Sequence, residues 1–179
     1  VVIWCITSYN GLVSKEENVD SQWANVESSY QRRSDLIPNL VETVKGYASH
    51  EKEPLQGVIE ARSKATSTQI NAGDLTSENI QQFQAAQDQL SNALSKLMVV
   101  VERYPDLKAN ENFLQLQSQL EGTENRINVE RNKYNEVAKS FNANIRKFPK
   151  NIIANMFGFE KNAYFEAQEG AKTTPQVKF

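Results

Sequence analysis

Residues 111–149 read ENFLQLQSQLEGTENRINVERNKYNEVAKSFNANIRKFP, and this stretch decides the fold. Phe113, Leu120, Ile127, Tyr134, Phe141 and Phe148 recur every seventh residue, with Leu116 and Val137 on the interleaved steps. A seven-residue apolar repeat keeps one stripe of a helix turned toward a partner, so the stretch predicts a helix from about 111 to 147, roughly 55 Å long, ended by Pro149. Glu130 also falls on the interleaved seam, where a buried carboxylate needs an Arg partner; such a residue more often sits at the seam's edge. A stripe this long needs other long helices to cover it.

Those helices are legible upstream. Thr76-Ser77-Glu78-Asn79 has the form of a helix start, and Ile80, Phe83, Leu90, Leu94, Leu97 and Val101 follow on one face, predicting a helix over 77–103 closed by Tyr104-Pro105-Asp106. Before it, Leu36, Leu40, Val44, Tyr47, Leu55 and Val58 predict a helix over 36–70 that ends near Gly73. Asp35 reads as its N-cap and Pro38 as a first-turn proline, whereas Pro54 should kink it. Leu12, Val19, Trp23, Val26 and Tyr30 alternate steps of three and four and give a first helix over 10–34. Short connections make the four antiparallel neighbours, an all-α, up-and-down four-helix bundle over residues 9–149. The apolar phase also runs through Pro38 by way of Tyr30, Arg33, Ile37, Leu40 and Val44. That leaves open one long kinked helix in a three-helix hairpin.

The two ends of the chain read differently. Val1, Val2, Ile3, Trp4, Cys5 and Ile6 form an apolar run too short to cross a bilayer alone. Residues 1–8 are expected to be the C-terminal end of a transmembrane anchor helix, with Trp4 and Tyr9 at the water interface. The alternative is the remnant of a cleaved signal peptide or a frayed apolar arm. Residues 150–179 form an apolar segment and tail. Ile153, Met156, Phe157 and Phe159, with Lys147, Lys150 and Lys161 nearby, suit a second membrane contact, or Ile153, Phe157 and Phe159 fold back to plug the open end of the bundle.

Composition narrows function by exclusion. Twenty Lys and Arg against 22 Asp and Glu give a net charge of −2, which provides no overall field for nucleic acid. Cys5 and His50 are the only residues of their types, and an anchor-end cysteine makes a Cys–His dyad improbable. A di-iron bundle needs Glu-x-x-His pairs, but Tyr47 stands three residues before His50. The second His of a zinc H-E-x-x-H motif would fall on Pro54. The seven glycines are scattered singly, so no phosphate-cradling loop can be built. No catalytic residue, cofactor, metal or small-molecule substrate is expected. Arg32-Arg33-Ser34-Asp35 is the densest polar cluster; it reads as a helix-end ion pair of Arg33 with the capping Asp35, or as an anion site.

The residues Tyr9-Asn10-Gly11-Leu12-Val13, Trp23, Gln31-Arg32-Arg33-Ser34-Asp35-Leu36-Ile37-Pro38-Asn39-Leu40-Val41 and Glu60-Ala61-Arg62 carry a resemblance. It continues through Tyr104-Pro105-Asp106-Leu107-Lys108, Phe113-Leu114-Gln115-Leu116, Leu120-Glu121-Gly122-Thr123-Glu124-Asn125-Arg126-Ile127, Arg131, Tyr134-Asn135, Phe148-Pro149 and Phe157-Gly158-Phe159. In order and over nearly the whole chain, these resemble the LemA family; the short anchor and Pro54 depart from it. The resemblance implies a bacterial single-pass membrane protein with an N-terminal anchor and its bundle in a soluble compartment, on a side the residues do not specify. It marks Arg32, Arg33, Asp35, Pro38, Asn39, Arg126, Tyr134 and Asn135 as family-motif or interface positions, and it supplies no reaction. The expected function is a non-enzymatic membrane-anchored scaffold or interaction protein, self-assembling or bound to protein partners. The alternative is an accessory subunit of a membrane enzyme complex such as a protease or phosphatase.

Overall fold

The computed structural model describes residues 1–165. Six helices and no strand occur among them: α1 Val2–Lys45, α2 Lys52–Ser67, α3 Ser77–Val101, α4 Pro105–Lys108, α5 Glu111–Arg146 and α6 Lys150–Phe157, with a short 3₁₀ turn at Ala72–Asp74 between α2 and α3. Residues 166–179, the latter part of the apolar segment and tail expected over 150–179, lie outside the described residues.

The first break is not at Asp35. α1 runs unbroken through Pro38, so the separate helices expected over 10–34 and 36–70 are replaced by a divide at residues 46–51. The buried stripe accounts for this: Leu12, Val19, Trp23, Val26, Tyr30, Arg33, Ile37, Leu40 and Val44 stay in phase along one face, and breaking the helix at Asp35 would have scattered them. Asp35 is therefore an exposed mid-helix residue that accepts a hydrogen bond from the Gln31 amide at 2.8 Å, not an N-cap. Pro38 removes the donor that would serve the carbonyl of Ser34. Arg62 on α2 replaces it, its Nε donating to Ser34 O at 2.9 Å. Pro54, expected to kink a helix, is instead the third residue of α2, where backbone N–H groups have no intrahelical partner to lose.

The other starts follow their caps. Thr76 Oγ1 accepts from the backbone N–H of Asn79 at 3.2 Å, and Asn110 Oδ1 from that of Phe113 at 3.0 Å. Pro105 opens α4, and Leu107 of that short helix is fully buried.

α1 packs chiefly on α5 and α2 on α3, and α2 also lies on α1. Lys15 bonds Ser140, Gln22 bonds Glu130 and Arg33 bonds Glu124, so α1 and α5 are antiparallel. At the far end, Ile37, Leu40, Val44, Leu55, Val58, Leu90, Leu97, Leu107 and Phe113 share one aliphatic core. In the middle the core turns aromatic. Trp23, Tyr30, Phe83, Tyr134 and Phe165 meet edge-on or stacked, at centroid separations of 5.2 to 5.7 Å. The α2–α3 connection sits level with Trp23, whose Nε1 donates to Glu27 at 2.7 Å and to the Ile70 carbonyl at 3.3 Å. Beyond that level only α1 and α5 continue, α1 for about 30 Å more. α6 closes this near end, with Ile153 and Ala154 packed on Leu12 and Cys5.

Four of the five α5 positions from Phe113 to Phe141 are all but inaccessible, and Leu120 is also buried, so the seam is real. Its last member is not part of it: α5 stops at Arg146, and Phe148 is 81% exposed. Gly158, in the left-handed region at φ 73°, turns the chain back, and residues 159–165 return along α5. Asn142 pairs with both the N–H and C=O of Asn162, at 2.9 and 2.8 Å. Asn135 does the same with Phe165, at 2.9 and 3.1 Å.

Candidate functional site

The Arg32-Arg33-Ser34-Asp35 cluster is divided by folding. Arg32, Asp35, Pro38 and Asn39 face solvent, whereas Arg33 is 1% exposed. Its Nη1 donates to Ser91 Oγ at 2.7 Å and Glu124 Oε1 at 2.8 Å, and its Nη2 to the carbonyl and side-chain oxygens of Gln87 at 3.0 and 2.8 Å. The guanidinium lies 5.3 Å from the Tyr30 ring centre. Arg33 thus clasps α1, α3 and α5, with Glu124 as its ion-pair partner in place of the expected Asp35. Bound on four sides by protein, it serves as a joint.

A second polar joint lies nearer the Cys5 end. Glu130 is buried, with Gln22 Nε2 donating to its carboxylate at 2.6 Å and Arg126 Nε at 2.9 Å. The Arg partner anticipated for it is one helical turn away on the same helix. Arg131 lies 4.9 Å from the Phe165 ring centre. Tyr134 is fully buried and donates to the Ala163 carbonyl at 2.9 Å. Burial, then Asp20 and Tyr164, push its hydroxyl far above the usual tyrosine value, so it remains a donor.

Other perturbed groups lie along α1. Burial raises the carboxyls of Glu16 and Asp20, with neighbouring acidic groups adding to it. Burial also raises Glu27, against the opposing hydrogen bond from Trp23. Cys5 is half-buried at the start of α1 and His50 exposed beyond its end, about 60 Å away along the helix. Among the described residues, no three His, Cys, Asp or Glu converge on a point where a metal could sit. A concavity of about 720 Å³ is an open groove between α3 and α5 lined by Ser91, Leu94, Met98, Gln117, Leu120 and Glu121.

The remaining expected site residues are at the near end. Val1, Val2, Ile3, Trp4 and Ile6 are exposed, and no helix among the described residues is long and apolar enough to cross a membrane. Of the α6 group, Ile153 is buried, Phe159 half-buried, and Met156 and Phe157 exposed. Sequence reasoning missed Gln22, Gln87, Glu124 and Asn142; only the seven-residue spacing of Asn135 and Asn142 on α5 could have signalled a paired role.

The family model described as LemA family matches residues 22–179. The chain belongs to the LemA family. Two relatives are named for the magnetosome. Magnetosome protein MamQ 2 of Paramagnetospirillum magneticum is 28% identical over 94% of this chain and 70% of its own length. Magnetosome protein MamQ of Magnetospirillum gryphiswaldense is 26% identical over the same shares. Protein LemA of Metamycoplasma hominis is 27% identical over 89% of this chain and 69% of its own. In this LemA-family chain the matched region takes in the Arg33 clasp, the Trp23 cluster and the tail clamps, and these hold helices together.

Proposed function

We propose that this chain is a membrane-tethered helical scaffold: α1, α2, α3 and α5 form an up-and-down bundle, and residues 1–8 are the emerging end of an anchor in lipid. The observation that carries the reading is α1 itself. One unbroken 44-residue helix begins in exposed Val2, Ile3, Trp4 and Ile6 and ends inside the aliphatic core. Whatever holds its first two turns is rigidly coupled to the bundle. Relatives named for an organelle and not for a reaction support a structural role. A second reading, an accessory subunit of a membrane enzyme complex, is favoured by the open α3–α5 groove.

Detergent extraction of the full-length protein, followed by size analysis and partner identification, tests both. A homogeneous self-assembly supports the scaffold, and a stoichiometric foreign subunit supports the accessory role. Release from membranes by an alkaline carbonate wash would end the tether reading.

A further inference from the structure

Once the core is accounted for, α6 and the residues just before it keep an exposed apolar face. Ile152 and Met156 are one helical turn apart on the same exposed face, Met156 being 73% exposed, and Phe148 and Phe157 flank them in the open. An eight-residue helix that buries only Ile153 and Ala154 leaves more apolar side chain outside than inside. An isolated soluble surface rarely keeps such a patch without an occupant.

Position identifies the occupant. α6 packs on Cys5 and Leu12, and the Tyr9 ring sits 4.7 Å from that of Phe157 and 5.8 Å from that of Phe159. α6 is thus level with the first turns of α1, whose Val1, Val2, Ile3, Trp4 and Ile6 are also exposed. Arg146, Lys147 and Lys150 border it, a sign of charge that an anionic lipid surface attracts although the whole chain is slightly negative. A short amphipathic helix with aromatic and Met side chains on one face and cations beside it matches the chemistry of the headgroup boundary.

We infer that α6 is a second membrane contact, lying in the headgroup layer of an anionic bilayer beside the point where α1 enters. It inserts Ile152, Met156 and Phe157 shallowly while Lys147 and Lys150 meet lipid phosphates. This rests on the tether reading, and two contacts instead of one would fix the tilt of α1 to the surface. Ile153 and Phe159 remain in the protein interior, holding α6 to α1 and α5.

The full chain carries one cysteine, which makes the test direct. A polarity-sensitive dye on Cys5 reports α1, and the same dye on Met156→Cys in a Cys5→Ser background reports α6. Both are mixed with vesicles of phosphatidylcholine and phosphatidylglycerol, with headgroup-quenching or chain-quenching lipids included. The dye at 156 is expected to shift to the blue and to be quenched mainly from the headgroup. Met156→Glu should weaken vesicle partitioning about tenfold with an unchanged thermal melt. Lys147→Gln with Lys150→Gln should weaken it on anionic vesicles only. A response at Cys5 with a water-like dye at 156 would overturn the α6 contact and leave the tether standing. A response at 156 alone would keep the contact and remove the tether, and silence at both sites would remove both. A blue shift at 156 that follows protein concentration without lipid would assign the face to a second copy and overturn the inference.

Discussion

The two ends of the molecule are held by different means. At the far end side chains of α1, α2, α3, α4 and α5 share one mainly aliphatic core. At the near end α1 and α5 run on as a pair, closed by one short helix and an extended strap whose backbone is gripped by Asn135 and Asn142. The contrast teaches that long helices need not be covered along their whole length by more helices. A few aromatic rings and two amides replace them where α2 and α3 end.

The largest test of that contrast is Phe141→Ala. Phe141 is 1% exposed and packs against Phe159 at the near-end edge of the aromatic core cluster, so a denaturant melt should show a loss of about 3 to 5 kcal/mol. A cost below about 1 kcal/mol, surface-like, would mean the near end is not a core. Next comes Arg33→Ala, where the two ends join. It leaves Gln87 without its donors, while the half-exposed Glu124 can turn to water, so we expect about 3 kcal/mol by the same melt. An Arg33→Ala chain as stable as wild type would make the clasp incidental.

Arg62→Ala belongs to the far end and should cost about 1 to 3 kcal/mol by exposing the unserved Ser34 carbonyl. The loss should shrink to a few tenths in a Pro38→Ala background, because the restored amide serves that carbonyl directly. Equal losses in both backgrounds would remove Arg62 from that role. Asn142→Ala, at the near end, should cost about 1 to 2 kcal/mol, with faster amide exchange at Asn162 and no change at Leu97.

The smallest effect is on pH. Burial holds the carboxyls of Glu16, Asp20 and Glu27 above their ordinary values of 3.8 to 4.5, so the native chain retains protons that the unfolded chain has released. Their contribution is therefore present below the ordinary values and is lost as pH rises through the raised ones. The melting temperature should be slightly higher near pH 5 than near pH 7, by less in Glu27→Gln. A rise of equal size in that variant would exclude Glu27 from the effect.

How far these features are legible in sequence depends on how local their causes are. The α5 seam as far as Phe141 and the helix start at Thr76 depend on residues within a turn or two, and they stand where the sequence puts them. Asp35 and Pro38 misled because a cap signal competes with a continuing buried stripe, and the stripe wins once Arg62, on another helix, serves the orphaned carbonyl. Pro54 misled for the converse reason: its meaning depends on a break at 46–51 that the apolar pattern runs straight across. Arg33 was legible as part of a dense cluster and, with one continuous helix, on the apolar phase, but its partners were not, since they lie 54 to 91 residues away. The strap was beyond reach, because an asparagine that grips backbone twenty or thirty residues on leaves only its spacing behind.

That spacing has a geometric meaning of its own. Seven residues of helix advance about 10.5 Å, and three residues of extended chain about 10 Å. Asn142 and Asn135 are seven apart on one scale, and Asn162 and Phe165 three apart on the other, so helix and strap mesh like the two rules of a vernier. Each step slips by about half an ångström, within the tolerance of a hydrogen bond for one or two further teeth and outside it soon after. A helix can therefore measure out a short length of extended chain, and the strap's docking register is set by the pitch of α5.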